Sequence, residues 1–193
     1  MPAWSWVVIA AVVVVALALV VIAARSVSRR SRTERLKSNF GPEYERAVGE
    51  AGGQRAAEKE LVARERKRKK LDIVALSPEA RAKYAEQWRT VQTAFVDNPS
   101  QAVGDADRLV AEVMCERGYP VEDFEQRAAD ISVDHPDVVE HYRAAHAVHR
   151  GQEQGDVDTE AQREAFVHYR ALFDKLLETD HQTDEDAPKE ARA

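Results

Sequence analysis

The chain has 193 residues, with 28 Lys/Arg against 34 Asp/Glu and a single cysteine. One cysteine cannot form an intrachain disulfide, so the fold cannot depend on an oxidising compartment. The formal net charge of −6 argues against a main role in binding nucleic acid, which requires a basic surface.

Residues 4–24 contain no charged side chain and are rich in Val and Ile. In a helix, these 21 residues would span about 31 Å, which matches the hydrocarbon core of a bilayer. We therefore predict a transmembrane helix over residues 4–24, with Trp4 and Trp6 at a membrane interface. A basic collar follows the span and comprises Arg25, Arg29, Arg30, Arg32, Arg35 and Lys37. By the positive-inside rule, the N-terminus lies outside and the body in the cytoplasm.

A cleaved signal peptide is the alternative, because residues 16–18 and 23–24 include the small side chains typical of a cleavage site. A signal peptide has basic residues ahead of an apolar core of about 7–15 residues, and this segment has neither feature. We expect an uncleaved single-pass anchor in the cell membrane. Cleavage would instead make the body an extracytoplasmic, secreted helical domain.

Charge is distributed unevenly along the rest of the chain. Residues 25–70 hold 15 Lys/Arg against 7 Asp/Glu, whereas residues 71–193 hold 13 against 27. An anionic cytoplasmic leaflet would attract the first segment and repel the second. Residues 54–70 are rich in strong helix formers but carry few large apolar side chains. We predict a basic juxtamembrane segment and an exposed helical stalk over residues 25–70.

Residues 71–179 predict five amphipathic helices, because apolar side chains recur there with a period of about 3.6. The first helix starts at Ser77 and Pro78, a favoured N-cap and first helical residue, and ends near residue 97. The other four are predicted over residues 100–117, 121–131, 136–150 and 159–178. The sequence therefore predicts an all-α fold with a small five-helix bundle. Residues 180–193 continue no apolar pattern and predict a disordered acidic tail.

Histidines and carboxylates are concentrated near residues 130–149, which raises the alternative of a metal-dependent hydrolase at residues 130–141. A helical two-histidine site requires ligands three or four residues apart. His141 and His149 are eight apart, and His146 and His149 have no carboxylate one turn away to complete a site. We predict no metal site, no cofactor and no catalytic residues.

Two further features are more simply explained by a structural role than by a functional one. The basic run at residues 66–70 predicts a solvated helix face or a contact with anionic lipid, with nucleic acid the less favoured partner. Cys115 is followed by Glu116, which disfavours a reactive thiolate, so we expect Cys115 to be a core or boundary side chain.

A resemblance to a known family is based on four strings in the body: FGPEY at residues 40–44, LSPEARAKYAEQW at 76–88, FVDNP at 95–99 and RGYPVEDFEQRAADISVDHPDVVEHYRAAH at 117–146. Together they resemble an uncharacterised family of short, single-pass membrane-anchored proteins of high-GC Gram-positive bacteria, often labelled as membrane or secreted proteins. That family has no established activity, so the resemblance implies no catalytic residues.

The most distinctive string suggests a functional surface within residues 118–135. The candidate interaction surface comprises Gly118, Tyr119, Pro120, Gln126, Arg127, Asp134 and His135. The alternative is that these residues only shape two corners between helices. The leading hypothesis is a membrane-tethered adaptor or scaffold that binds an unknown protein partner.

Overall fold

The computed structural model describes Trp4, Leu17, Val20, residues 30–152, Gly155 and residues 157–178. These residues form eight helices and no β-strand, which confirms the predicted all-α fold. The helices are α1 (helical over residues 30–40), α2 (Pro42–Glu50), α3 (Gln54–Arg68), α4 (Pro78–Ala94), α5 (Pro99–Glu116), α6 (Phe124–Asp134), α7 (Val139–Gln152) and α8 (Thr159–Glu178).

Helices α4 to α8 enclose the main hydrophobic core, which confirms the helical bundle. Their apolar stripes face inward, because side chains three and four residues apart share one face of a helix. The indole of Trp88 on α4 stacks on two rings of α8, with centroid distances of 5.1 Å to Phe166 and 4.6 Å to Phe173. The Ser77 hydroxyl accepts a hydrogen bond from the Ala80 amide and caps α4, as predicted.

Two helices of the bundle begin later than the sequence predicts. Helix α6 begins at Phe124, because the Asp123 carboxylate accepts a hydrogen bond from the Gln126 amide and caps the helix there. Helix α7 begins at Val139, after a turn in which the Val138 amide donates to the His135 carbonyl. The short connection between α6 and α7 therefore includes Pro136.

A second hydrophobic core is formed by α1, α2 and α3, so the prediction of an exposed stalk is wrong. Its buried side chains are at most 1 % exposed and comprise Leu36, Phe40, Tyr44, Ala47, Ala57 and Leu61. Helix α3 also packs on α6, where Val133 lies against the second core. Helix α6 therefore has apolar contacts with both cores, since Ile131 belongs to the main one.

The predicted transmembrane helix covers residues 4–24, of which the structure describes only Trp4, Leu17 and Val20. The prediction therefore falls almost entirely outside the described residues. Among the residues that are described, no helix combines the length and the hydropathy needed to cross a bilayer. The predicted tail, residues 180–193, also lies outside the described part of the chain.

Candidate interaction site at the junction of the two cores

A buried carboxylate on α2 forms ion pairs with three arginines where the two cores meet. The Glu43 side chain is 1 % exposed. Its oxygens accept hydrogen bonds from Arg46 Nε at 2.9 Å, Arg64 Nη1 at 2.8 Å and Arg143 Nη2 at 3.1 Å. Because the arginines belong to α2, α3 and α7, this one carboxylate links the second core to the main bundle.

The ionisation of Glu43 depends on these arginines. Burial alone raises the pKa of the Glu43 carboxyl, but the hydrogen bonds and charges of Arg46, Arg143 and Arg64 outweigh it and hold the pKa below its usual value. Each arginine also pairs with an outer carboxylate, and these are Glu50, Glu60 and Glu125. Glu43 is therefore charged at neutral pH, and the arginines provide the compensation that a buried charge requires.

The basic run at residues 66–70 contributes to the interface between α3 and α6. Lys67 Nζ lies 3.3 Å from Asp130 Oδ2. Arg68 Nε donates to Asp134 Oδ2, and the Arg68 guanidinium lies 5.8 Å from the centroid of the Tyr119 ring. The exposed members of the run are Arg66, Lys69 and Lys70. The predicted solvated face therefore holds for Arg66, Lys69 and Lys70, whereas Lys67 and Arg68 also pair with carboxylates of α6.

An open cleft of about 600 Å³ lies between α2, α3 and α6, and we call it the junction cleft. It is lined by Arg46, Glu50, Glu60, Ala63, Arg64, Lys67, Asp123, Glu125, Gln126, Ala129 and Asp130. Its five carboxylates outnumber its three cationic side chains. A second cleft of about 570 Å³ shares Arg46, Asp123 and Glu125 with it and is also lined by Phe124 and His146. The junction cleft therefore has a negative balance of charge, whereas the second cleft is lined by three arginines against two carboxylates.

The predicted interaction surface does not lie on one exposed face. Tyr119 and His135 are 3 % and 7 % exposed, and the Tyr119 hydroxyl donates to Asp134. Arg127 is directed inward, with its Nε donating to the Tyr142 hydroxyl at 2.9 Å. Of the seven predicted residues, Gln126 lines the junction cleft.

The turn after α5 explains why Gly118 and Pro120 look distinctive in the sequence. Gly118 has φ of +94°, and a Cβ at that position would lie 2.4 Å from the Asp72 carbonyl oxygen. Both features require glycine, because L-residues with side chains rarely adopt this conformation. Pro120 is half-buried next to the buried Tyr119. These residues shape an interhelical corner, the alternative that the sequence left open.

The predicted basic collar divides into three parts. Arg30 and Arg32 are exposed at the start of the described part of α1. Arg35 and Lys37 form ion pairs at 2.9 Å with Glu65 and Glu45, respectively. Arg25 and Arg29 lie outside the described residues.

The Asp/His-rich corner at residues 130–141 has its side chains directed to separate partners. Asp130 and Asp134 pair with α3, whereas His135 is buried at the end of α6, where burial lowers its pKa. His141 Nδ1 lies 2.9 Å from His168 Nδ1 on α8. Within the described ranges, no group of three or more His, Cys, Asp and Glu side chains could hold a metal ion.

Comparison of the chain with protein-family models, curated proteins and solved structures finds no match. The resemblance to a family of membrane-anchored proteins therefore stays a prediction, and the junction itself is the basis for a functional hypothesis.

Proposed function

We propose that the chain is a single-pass membrane protein whose helical body binds another protein as an adaptor or scaffold. Residues 4–24 would form the transmembrane helix, with the N-terminus outside and the body in the cytoplasm. The observation that supports a binding role is the junction cleft, an open polar surface in which carboxylates outnumber cations. A basic polypeptide segment would complement that surface in charge.

The proposed tether and the helical body are close together in the sequence. The described part of α1 begins at residue 30, six residues after the end of the uncharged segment. The exposed Arg30 and Arg32 would then lie near lipid head groups, where each basic side chain contributes about 1 kcal/mol of attraction to an anionic leaflet. The acidic junction cleft would remain available to a partner in solution.

The orientation can be tested with the exposed thiol of Cys115, the one cysteine in the chain. A membrane-impermeant maleimide added to intact cells should leave Cys115 unmodified and should label it after permeabilisation. The matched control is Ala3→Cys in a Cys115→Ala background, which should be labelled in intact cells. Labelling of Cys115 in intact cells would refute a cytoplasmic body.

Binding at the junction can be tested by placing a photo-crosslinking amino acid at Glu60 or Glu125, whose side chains are 47 % and 76 % exposed. Glu86 on α4, with 67 % exposure, is the matched control outside the cleft. We expect discrete adducts at the two cleft positions, and the adducts formed from Glu60 should be lost when Glu50 and Glu125 are both changed to Lys. The crosslinked peptide of the partner should be basic. Adducts of the same pattern from Glu86 would refute the proposed surface.

A further inference from the structure

Asp130 has a buried carboxylate, and one of its two oxygens accepts no hydrogen bond among the described residues. It lies on α6 and lines the junction cleft, and its side chain is 1 % exposed. Its Oδ2 lies 3.3 Å from Lys67 Nζ, whereas its Oδ1 has no hydrogen-bond partner among the described residues. Buried carboxylate oxygens are costly unless they are paired, so this oxygen indicates a group that the cleft could receive.

The other cationic side chains of the cleft are already paired with carboxylates. Arg46 and Arg64 both donate to Glu43, at 2.9 Å and 2.8 Å, and each also pairs with an outer carboxylate. They are therefore held away from Asp130. They also cannot supply an anion site without giving up the buried Glu43, so the cleft favours a cationic ligand over a phosphate or a carboxylate.

Lys67 is the exchangeable member of the pair. Its side chain is 42 % exposed, and its 3.3 Å contact with Asp130 is longer than a typical charge-assisted hydrogen bond. A half-exposed lysine with one long contact gains little from that contact, because water competes for its ammonium group. Lys67 can therefore move aside and leave both oxygens of Asp130 to an incoming group.

We propose that the junction cleft contains a subsite for an arginine side chain of the partner, with Asp130 as its acceptor. This inference rests on the proposed function, since the partner is the basic segment assigned there. A guanidinium presents two parallel N–H donors that match the two oxygens of a carboxylate, whereas an ammonium group offers no such planar pair. Glu60 and Glu125 at the rim would add to the negative potential around the ligand.

The test uses the full chain in micelles of an uncharged detergent, with the peptide acetyl-Gly-Arg-Gly-amide as the probe. Binding is followed by nuclear magnetic resonance titration at low ionic strength. The neutral isostere acetyl-Gly-citrulline-Gly-amide and the lysine analogue are the matched ligands. We expect saturable shifts of α3 and α6 resonances with the arginine peptide, at least about tenfold weaker binding of the lysine peptide and no saturation with citrulline.

Two substitutions should act in opposite directions. Asp130→Asn should weaken binding of the arginine peptide by at least about tenfold, a factor equivalent to about 1.4 kcal/mol. Lys67→Met removes the internal competitor and should tighten binding about threefold or more. Glu86→Gln, on the exposed face of α4, should change nothing.

The proposal is overturned if the arginine and citrulline peptides bind equally, if neither binds, or if Lys67→Met weakens binding. The Lys67→Met result keeps the test decisive even if Asp130→Asn does not fold. Crosslinks at Glu60 and Glu125 without binding of the arginine peptide would remove this subsite and leave the proposed function standing. Binding of the peptide without crosslinks would do the reverse.

Discussion

The carboxylate of Glu43 should account for a large part of the stability of the junction, and Glu43→Gln tests this. The substitution keeps the shape of the side chain and removes the charge that three arginines share. Removal of one partner from a buried ion pair costs about 3–5 kcal/mol. Each arginine keeps an outer carboxylate, but those carboxylates are 47–76 % exposed and contribute about 0–1 kcal/mol each. We therefore expect Glu43→Gln to lower the free energy of unfolding by about 3 kcal/mol, the low end of that range.

The assay is urea unfolding of the full chain in uncharged detergent, followed by circular dichroism at 222 nm. Glu45→Gln is the matched control on the same helix, because Glu45 is 69 % exposed and, among the described residues, pairs with the exposed Lys37. It should change the free energy of unfolding by less than about 0.5 kcal/mol. A loss below about 1 kcal/mol for Glu43→Gln would refute the argument that the buried charge stabilises the junction.

Comparison of the wild type with Glu43→Gln also gives a prediction for the pH dependence of stability. The pKa of Glu43 in the folded protein lies below the ordinary value of 4.5, despite its burial, because of its arginines. Its contribution is therefore fully present above pH 4.5 and is lost as the pH falls through the lowered pKa. The difference in unfolding free energy between wild type and Glu43→Gln should shrink between pH 7 and pH 3. A difference that stays constant over this range would contradict the assignment.

Four more substitutions test the fold. Gly118→Ala should destabilise the protein by at least about 2 kcal/mol, because a Cβ there meets a carbonyl oxygen at 2.4 Å and φ is +94°. Gly49→Ala, at a helical position in open space, should instead stabilise it by about 0.5–1 kcal/mol, and urea unfolding compares the two. Trp88→Ala should cost about 3–5 kcal/mol in the same assay, because it removes the ring stacked in the main core. For His168, burial and the neighbouring His141 lower the pKa below 6.5, so its contribution to stability is present above pH 6.5 and falls as the pH drops through the lowered pKa. The melting temperature should therefore fall less between pH 7 and pH 5 in His168→Gln than in wild type, and parallel curves would contradict this.

The main bundle could be predicted from the sequence because its signals are local. Apolar side chains at spacings of three and four residues define one face on each helix, and Ser77 and Gly118 mark a start and an end. Helix boundaries set by a single hydrogen bond, such as the cap of α6 by Asp123, were placed less accurately. Cys115 was wrongly expected in the core or at its boundary, and the structure leaves it exposed beside the buried Met114.

The second core and the junction could not be predicted because their signals are not local. The six buried side chains of the second core are divided among three helices separated by glycine turns, with two on each helix, so no one helix carries a long apolar stripe. The charges of α3 look like a solvated face, since the ion pairs of Lys67 and Arg68 are formed with residues 63 and 66 positions away. Pairing over such distances leaves no periodic trace in the sequence.

The helices that line the junction cleft are held together by apolar contacts and by several ion pairs. The cleft could therefore bind a ligand without separation of these helices. Each core buries its own apolar residues, and α6 contacts both through Ile131 and Val133. Helix α3 is held to α2 and α6 by two further ion pairs, Arg64 with Glu43 and Arg68 with Asp134. Release of Lys67 from Asp130 would leave both of these pairs in place. Exchange of that one lysine for a ligand cation would therefore replace the longer of the two ion pairs between α3 and α6 and keep α3 docked on α6.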